Sequence, residues 1–216
     1  MTRQVSSISR VGTSEPFELQ VSRGQIAYHE FIHKFGYNPS IGTSDETVWS
    51  EGGLYVYPTS ASTMYISSSS TADTAAGTGA RTATVSGLDA NFDEISETVS
   101  LDGQAGVQLN GALNWYRVNR VVVNTAGSGG ANAGVLYVGT EATPSGGVPT
   151  NKYATVAIGD NQTLMCLWTV PRGYTAYLHQ KDVSASSSAG KFAVFTLVAR
   201  PDGGVFNVKD RVTLAN

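Results

Sequence analysis

The chain has 216 residues, 41% of them hydrophobic, with a formal net charge of −3 and a sequence pI of about 5.6. That much apolar material excludes wholesale disorder, and the lack of any basic run or basic–aromatic ladder speaks against a nucleic-acid partner. Charged residues make up only 14%, well under the roughly 25% of ordinary globular domains.

Glycine, serine and threonine supply the polar surface instead, a composition suited to strands, tight turns and contact areas with few charges to desolvate. No apolar stretch approaches the ~18 residues of a membrane helix, so no membrane partner is expected. The first residues lack the apolar centre of a secretory signal, and synthesis in a cytoplasm is expected. The single cysteine, Cys166, lies in an apolar run, where a small buried hydrophobe is the expected role.

In chain order, residues 1–16 are polar and read as an N-terminal arm. Strands are expected at 17–22, 54–57 and 63–67. A hairpin comes next, with strands at 81–86 and 94–101 around the turn residues Gly87, Leu88, Asp89, Ala90 and Asn91. The next strand, 115–124, reads WYRVNRVVVN and alternates Tyr116, Val118, Arg120 and Val122 against Trp115, Arg117, Asn119, Val121 and Val123. Further strands are expected at 134–139, 154–158, 163–170, 175–180, 191–199 and 205–208. Short Gly-rich loops such as AGSGGANAG at 126–134 separate them. About a dozen short strands without long helical patterns indicate an all-β fold, a β-sandwich or jelly roll. Residues 17–216 read as one composite domain, with 126–134 as the place where a subdivision would fall.

One motif promises chemistry. His29-Glu30-Phe31-Ile32-His33 is an H-E-x-x-H sequence, which on a helix sets two zinc ligands on one face with a general base between them. Gly36 continues the longer metzincin pattern, but Pro39 stands where its third histidine belongs. Glu46, Glu51 and His179 are the other conceivable ligands. Gly36 and Pro39 limit any helix here to about three turns, and an extended segment fits nearly as well; it would set His29 and His33 about 13 Å apart, too far for one metal. Contact or hydrogen-bonding roles for the two histidines are favoured, and neither metal nor cofactor is expected. The acids Asp89, Asp93, Glu94 and Glu97 read as solvated turn residues rather than glycosidase carboxylates or calcium ligands. Trp115, Tyr116 and Trp168 are candidates for a sugar-stacking platform, but packing in the core or at a subunit interface is favoured.

Four stretches carry a resemblance: HKFGYNPSIGTSDETVW, GGLYVYP, GTGARTATVSGLDANFDEISETVSLDG and NRVVVNTAGSGGANAGVLYVG. Together they resemble segments of virion structural proteins of tailed bacteriophages, especially those of marine bacteria and cyanobacteria, over roughly residues 25 to 140. The resemblance implies a non-enzymatic virion protein made in the host bacterial cytoplasm, in which the 29–36 segment is no zinc site. Without coiled-coil heptads or a repetitive β-helix, a long tail fibre is disfavoured. The expected role is a decoration or cement subunit on the capsid exterior, with copies of itself (a trimer as first guess) and the major capsid or other virion proteins as partners. A neck- or tail-associated, glycan-binding protein is the alternative, and a zinc metallopeptidase centred on His29, Glu30 and His33 the third reading.

Overall fold

A computed structural model describes residues 15–110, 114–186, 188 and 190–215. It is built mostly of antiparallel strands, with one short α-helix among the described residues. No helix among them is long and apolar enough to cross a membrane. The chain divides into two compact units, Met1–Tyr174 and Thr175–Asn216, so the 126–134 loop lies inside the first.

The first unit begins with α1 (Phe17–Ser22), where the alternation of Phe17, Leu19 and Val21 had predicted a strand. Local punctuation overrides that alternation. Pro16 supplies a pre-set φ of −50° and a carbonyl that accepts from Leu19 and Gln20, and Gly24, at φ +65°, closes the turn onto Val21. Of the expected arm, residues 1–14 lie outside the described residues; Glu15 pairs with Arg23 across α1.

Two sheets complete the unit. One has the order β4-β1-β6-β7, formed by Val107–Gln108, Tyr65–Ser68, Leu136–Gly139 and Lys152–Val156. The other has the order β3-β2-β5, formed by Glu94–Ser100, Ala80–Asp89 and Trp115–Ala126. Ile66, Leu136, Val138 and Val156 from the first and Ala83, Val85, Trp115, Val118 and Val121 from the second join one hydrophobic core, with Trp49, Tyr55, Met64 and Met165 from the connecting segments.

The hairpin β2–β3 forms as expected, but its strands run further. Gly87, Leu88 and Asp89 belong to β2, and the turn occupies the residues after Asp89. Asp89 builds that turn: Oδ1 accepts from the amides of Asn91 (2.7 Å) and Asp93 (2.9 Å). Phe92 takes φ +63° at the tip.

Simple alternation fails in β5. Ser86 pairs with Arg120 and Gly87 with Val118, so Asn119 is an extra residue; Tyr116 is another, between Arg117 and Trp115. Each bulge reverses the facing of the residues beyond it: the one at Asn119 turns Val118 to the core face with Val121, the one at Tyr116 returns Trp115 to that face, and Arg117, paired with Leu88, is buried on the other. Gly87 makes the first bulge possible. A Cβ there would stand 1.9 Å from the Arg117 carbonyl oxygen.

Three other expected strands stay outside the ladders. Residues 54–57 are extended and alternate, with Tyr55 buried between exposed Leu54 and Val56, and Tyr55 is anchored by its hydroxyl on the Tyr153 carbonyl (3.1 Å) instead of by a partner strand. Residues 163–170 contribute only isolated bonds, Thr163 N to Val121 O and Cys166 N to Val48 O. Met165 takes the inward position there, which turns Cys166 outward, exposed rather than buried. Residues 175–180 carry no ladder.

The second unit is the hairpin β8 (Phe192–Ala199) and β9 (Asn207–Ala215), a two-stranded sheet. The register places Ala193, Phe195 and Leu197 with Leu214 and Val212 on one, partly covered face. A bulge at Lys209 brings Val198 opposite Val208, on the other face with Phe192 and Val194, and all four are exposed.

The loops of the first unit close on one carboxylate. Asp73 is 0% exposed and accepts four hydrogen bonds, with no cation among its partners. Oδ1 takes the amides of Ala80 (2.7 Å) and Ala133 (2.8 Å); Oδ2 takes the Gly134 amide (2.8 Å) and the Ser68 hydroxyl (2.6 Å). Beside it, buried Asn132 exchanges backbone-to-side-chain bonds with Asn161 in both directions and donates to the carbonyls of Gly134 and Ala157.

Two substitutions test this account. Gly87→Ala is expected to lose about 3 kcal/mol, or roughly 10 °C in Tm, since the bulge cannot retreat without moving β5. Asp73→Asn keeps the shape but aims an NH2 at donors, with an expected loss of about 3–5 kcal/mol in urea unfolding.

Candidate functional site

The H-E-x-x-H segment is not helical. Tyr28 sits at φ +62° and residues 29–39 run without regular secondary structure. His29 belongs to no ligand cluster: its Nδ1 lies 2.9 Å from the Ala27 carbonyl, and its ring meets Phe17 edge-on at 5.7 Å. His33 lies between Phe31, at 4.7 Å, and Phe35, at 6.3 Å. Among the described residues no group of three His, Cys, Asp or Glu side chains could hold a metal ion.

The acids near this segment and on the hairpin are engaged elsewhere. Glu46 gathers the loop around it, accepting from the amides of Gly42 (2.8 Å) and Gly53 (3.2 Å) and from the Asn38 side chain (3.0 Å). These bonds, the Gly42 amide foremost, hold its carboxyl below the usual range. Glu51 pairs with Lys152. Asp93 pairs with Arg172 at 3.1 Å, and Glu97 accepts the Asn110 amide at 2.6 Å.

The aromatic candidates separate. Trp115 is 0% exposed and takes the core alternative, on one face with Val118 and Val121, out of reach of a sugar. Tyr116 is half-buried, its ring covered by the Arg117 guanidinium at 3.9 Å. Trp168 is half-buried as well, and nothing brings it together with the other two. Arg117 is the residue that sequence reading missed. It is 6% exposed, donates to the carbonyls of Pro58 (3.0 Å) and Tyr116 (2.8 Å), and lies within 6 Å of the rings of Tyr57 and Phe92. Carbonyls and ring faces stabilise its charge here in place of a carboxylate.

Two surfaces remain open to contact. On the outer face of β3-β2-β5, hydroxyls pair across strands: Thr82 with Thr125 (2.6 Å), Thr84 with Thr98 (2.7 Å) and Ser86 with Ser96 (3.0 Å). Thr84 also donates to Asn124 Oδ1 at 2.8 Å. In the second unit, Phe192, Val194, Val198 and Val208 form an exposed apolar face. Neither surface stands out in the sequence, although the Thr-Ala-Thr-Val-Ser run of β2 carries the first as plain alternation.

Lys34 is the group with the most altered acidity in the range that matters physiologically. Burial pushes its ammonium down from the ordinary 10.5 to about 8; nearby Arg120 adds to this, while Cys166 opposes it. Although Cys166 keeps an exposed side, the chain packed around its sulfur desolvates the thiolate and raises the thiol, with Lys34 opposing. Because the folded Lys34 binds its proton less tightly than the unfolded one, the unfolded chain holds more protons above pH 8, and stability from this residue rises with pH. Cys166, from its ordinary 9.0 upward, and Tyr55 and Tyr137, from 10.0 upward, act in the opposite direction because burial raises them. The clean window is therefore pH 8 to 9. Across it, the stability of the wild type relative to Lys34→Met is expected to increase in denaturant titrations; a flat or falling difference would contradict the assignment. Comparison of the sequence with protein-family models and curated proteins, and of the fold with solved structures, finds no match.

Proposed function

We propose that this chain is a virion structural subunit of a tailed bacteriophage, working by assembly rather than by chemistry. Its leading role is decoration or cement on the capsid exterior. The observation that carries the reading is the β8–β9 hairpin. A two-stranded ribbon is marginal in water on its own, and this one is apolar on both faces, with Phe192, Val194, Val198 and Val208 exposed. Strands apolar on both faces belong inside larger sheets or interfaces. The hydroxyl-paired face of β3-β2-β5 supports the same reading, since its three cross-strand hydroxyl pairs offer polar area with few charges to desolvate. The resemblance of residues 25 to 140 to phage virion proteins supplies the biological setting.

In finer detail, the two sheets of the first unit would face each other as a β-sandwich around the core that both supply. Copies would associate as a closed ring, a trimer in the first instance, and bridge shell subunits through many weak contacts acting together.

Copy number per particle tests the placement. Hundreds of copies by gel densitometry of purified virions are expected of a capsid protein, whereas about six to eighteen would move it to the neck or tail. Absence from purified particles would overturn the virion reading itself. Metal analysis of the same purified protein is expected to give no stoichiometric zinc; zinc that disappears in His33→Ala would restore the peptidase reading.

A further inference from the structure

Beside the bulge in β5, the chain brings two cations into one notch, and neither is paired with a carboxylate among the described residues. The extra residue Asn119 turns its carbonyl out of the ladder, and the Lys34 Nζ donates to it at 2.5 Å. The next residue, Arg120, donates from a terminal guanidinium nitrogen to Gln162 Oε1 at 2.6 Å. Both acceptors are neutral. Among the described residues, no carboxylate is hydrogen-bonded or ion-paired to either cation. Lys34 and Arg120 line one narrow notch, walled by His33, Phe35, Gln162 and Thr163.

Each cation keeps spare donors. An ammonium has three and a guanidinium five, and each cation uses one of them in these bonds. Two like charges in a partly desolvated notch destabilise one another unless an anion joins them. The acidity of Lys34 agrees with this placement: burial lowers its range first of all, the Cys166 thiol opposes, and Arg120 pushes the same way as burial.

We propose that the Lys34–Arg120 notch is a binding site for a carboxylate group, one oxygen of which seats between the ammonium and the guanidinium. The notch is narrow, and a planar carboxylate can offer one edge to the ammonium and the guanidinium together. Exposed Phe35 at the rim offers an apolar wall to the carbon that carries the carboxylate. The carboxylate can belong to a small free acid or to an aspartate or glutamate side chain of a second copy. This chemistry holds wherever the protein assembles.

The test is an NMR titration of the full chain with sodium acetate, against sodium chloride at matched ionic strength, following the Lys34 side chain and the Arg120 Nε–H. Expected are saturable shifts at these two residues with a millimolar dissociation constant, weakened at least about tenfold in Lys34→Gln and Arg120→Gln. Circular dichroism confirms that each variant is folded. If the natural ligand is a side chain of another copy, the same two residues shift with protein concentration alone, and acetate reverses that shift. Acetate shifts without any concentration dependence assign the site to a small acid. Linear shifts spread over all lysines, or equal affinity in both folded variants, overturn the proposal. Should a variant misfold, the wild-type titration still decides: unmoved Lys34 and Arg120 signals overturn it.

Discussion

A buried carboxylate without a cation holds this fold's loops in place. Asp73 ends no helix and pairs with no arginine; it is held by three backbone amides and one hydroxyl drawn from segments about sixty residues apart in sequence. Removing a charge from water costs several kcal/mol, and hydrogen bonds to a charged group are the kind strong enough to offset it. The geometry leaves little slack. A Cβ at Gly79 would stand 2.1 Å from Asp73 Oδ1, and one at Gly134 would stand 2.6 Å from the Ser68 hydroxyl. The glycines of TGA and NAG are therefore part of the anion's cradle, and that cradle sets where β2 begins and where the chain enters β6.

The strand content was legible because alternation and turn residues agreed through most of the first unit. The hairpin β2–β3, the long β5, and β6 through β9 each lie over or beside an expected strand. The failures have separate physical causes. At 17–22, Pro16 and Gly24 impose a helical turn on a segment whose side chains alternate like a strand. At 54–57 the alternation is real, but the backbone has no ladder to join, because Tyr55 anchors through its hydroxyl. At 115–124, bulges reverse the facing within one strand, something no periodic reading contains. That is why Val118, on the opposite face from Val121 by alternation, joins the core with it, while Trp115, after two reversals, stays on the face that alternation gives it.

The same bulge links core and surface. Gly87 allows β5 to come close, the bulge releases the Asn119 carbonyl, and Lys34 caps it. None of these steps was visible in the sequence, where Lys34 and Arg120 are separated by more than eighty positions and neither belongs to a motif. The H-E-x-x-H pattern next to Lys34 was conspicuous, yet it contributes aromatic contacts. Pattern and chemistry part here because three fixed positions specify no backbone, and the non-helical backbone at 29–33 removes the geometry that gives the motif its meaning.

The hydroxyl pairs on β3-β2-β5 give that sheet an unusual relation to water. A hydroxyl on an open surface ordinarily satisfies itself with solvent, and each such bond must be exchanged when the surface is covered. Here Thr82, Thr84, Ser86, Ser96, Thr98 and Thr125 already bond one another across the strands. Each pair satisfies one hydroxyl hydrogen without solvent, so covering this face strands fewer polar groups than unpaired hydroxyls would. A face of this kind can be dried and rewetted with little change in its own bonding, which favours contacts that form and release without reordering the sheet beneath.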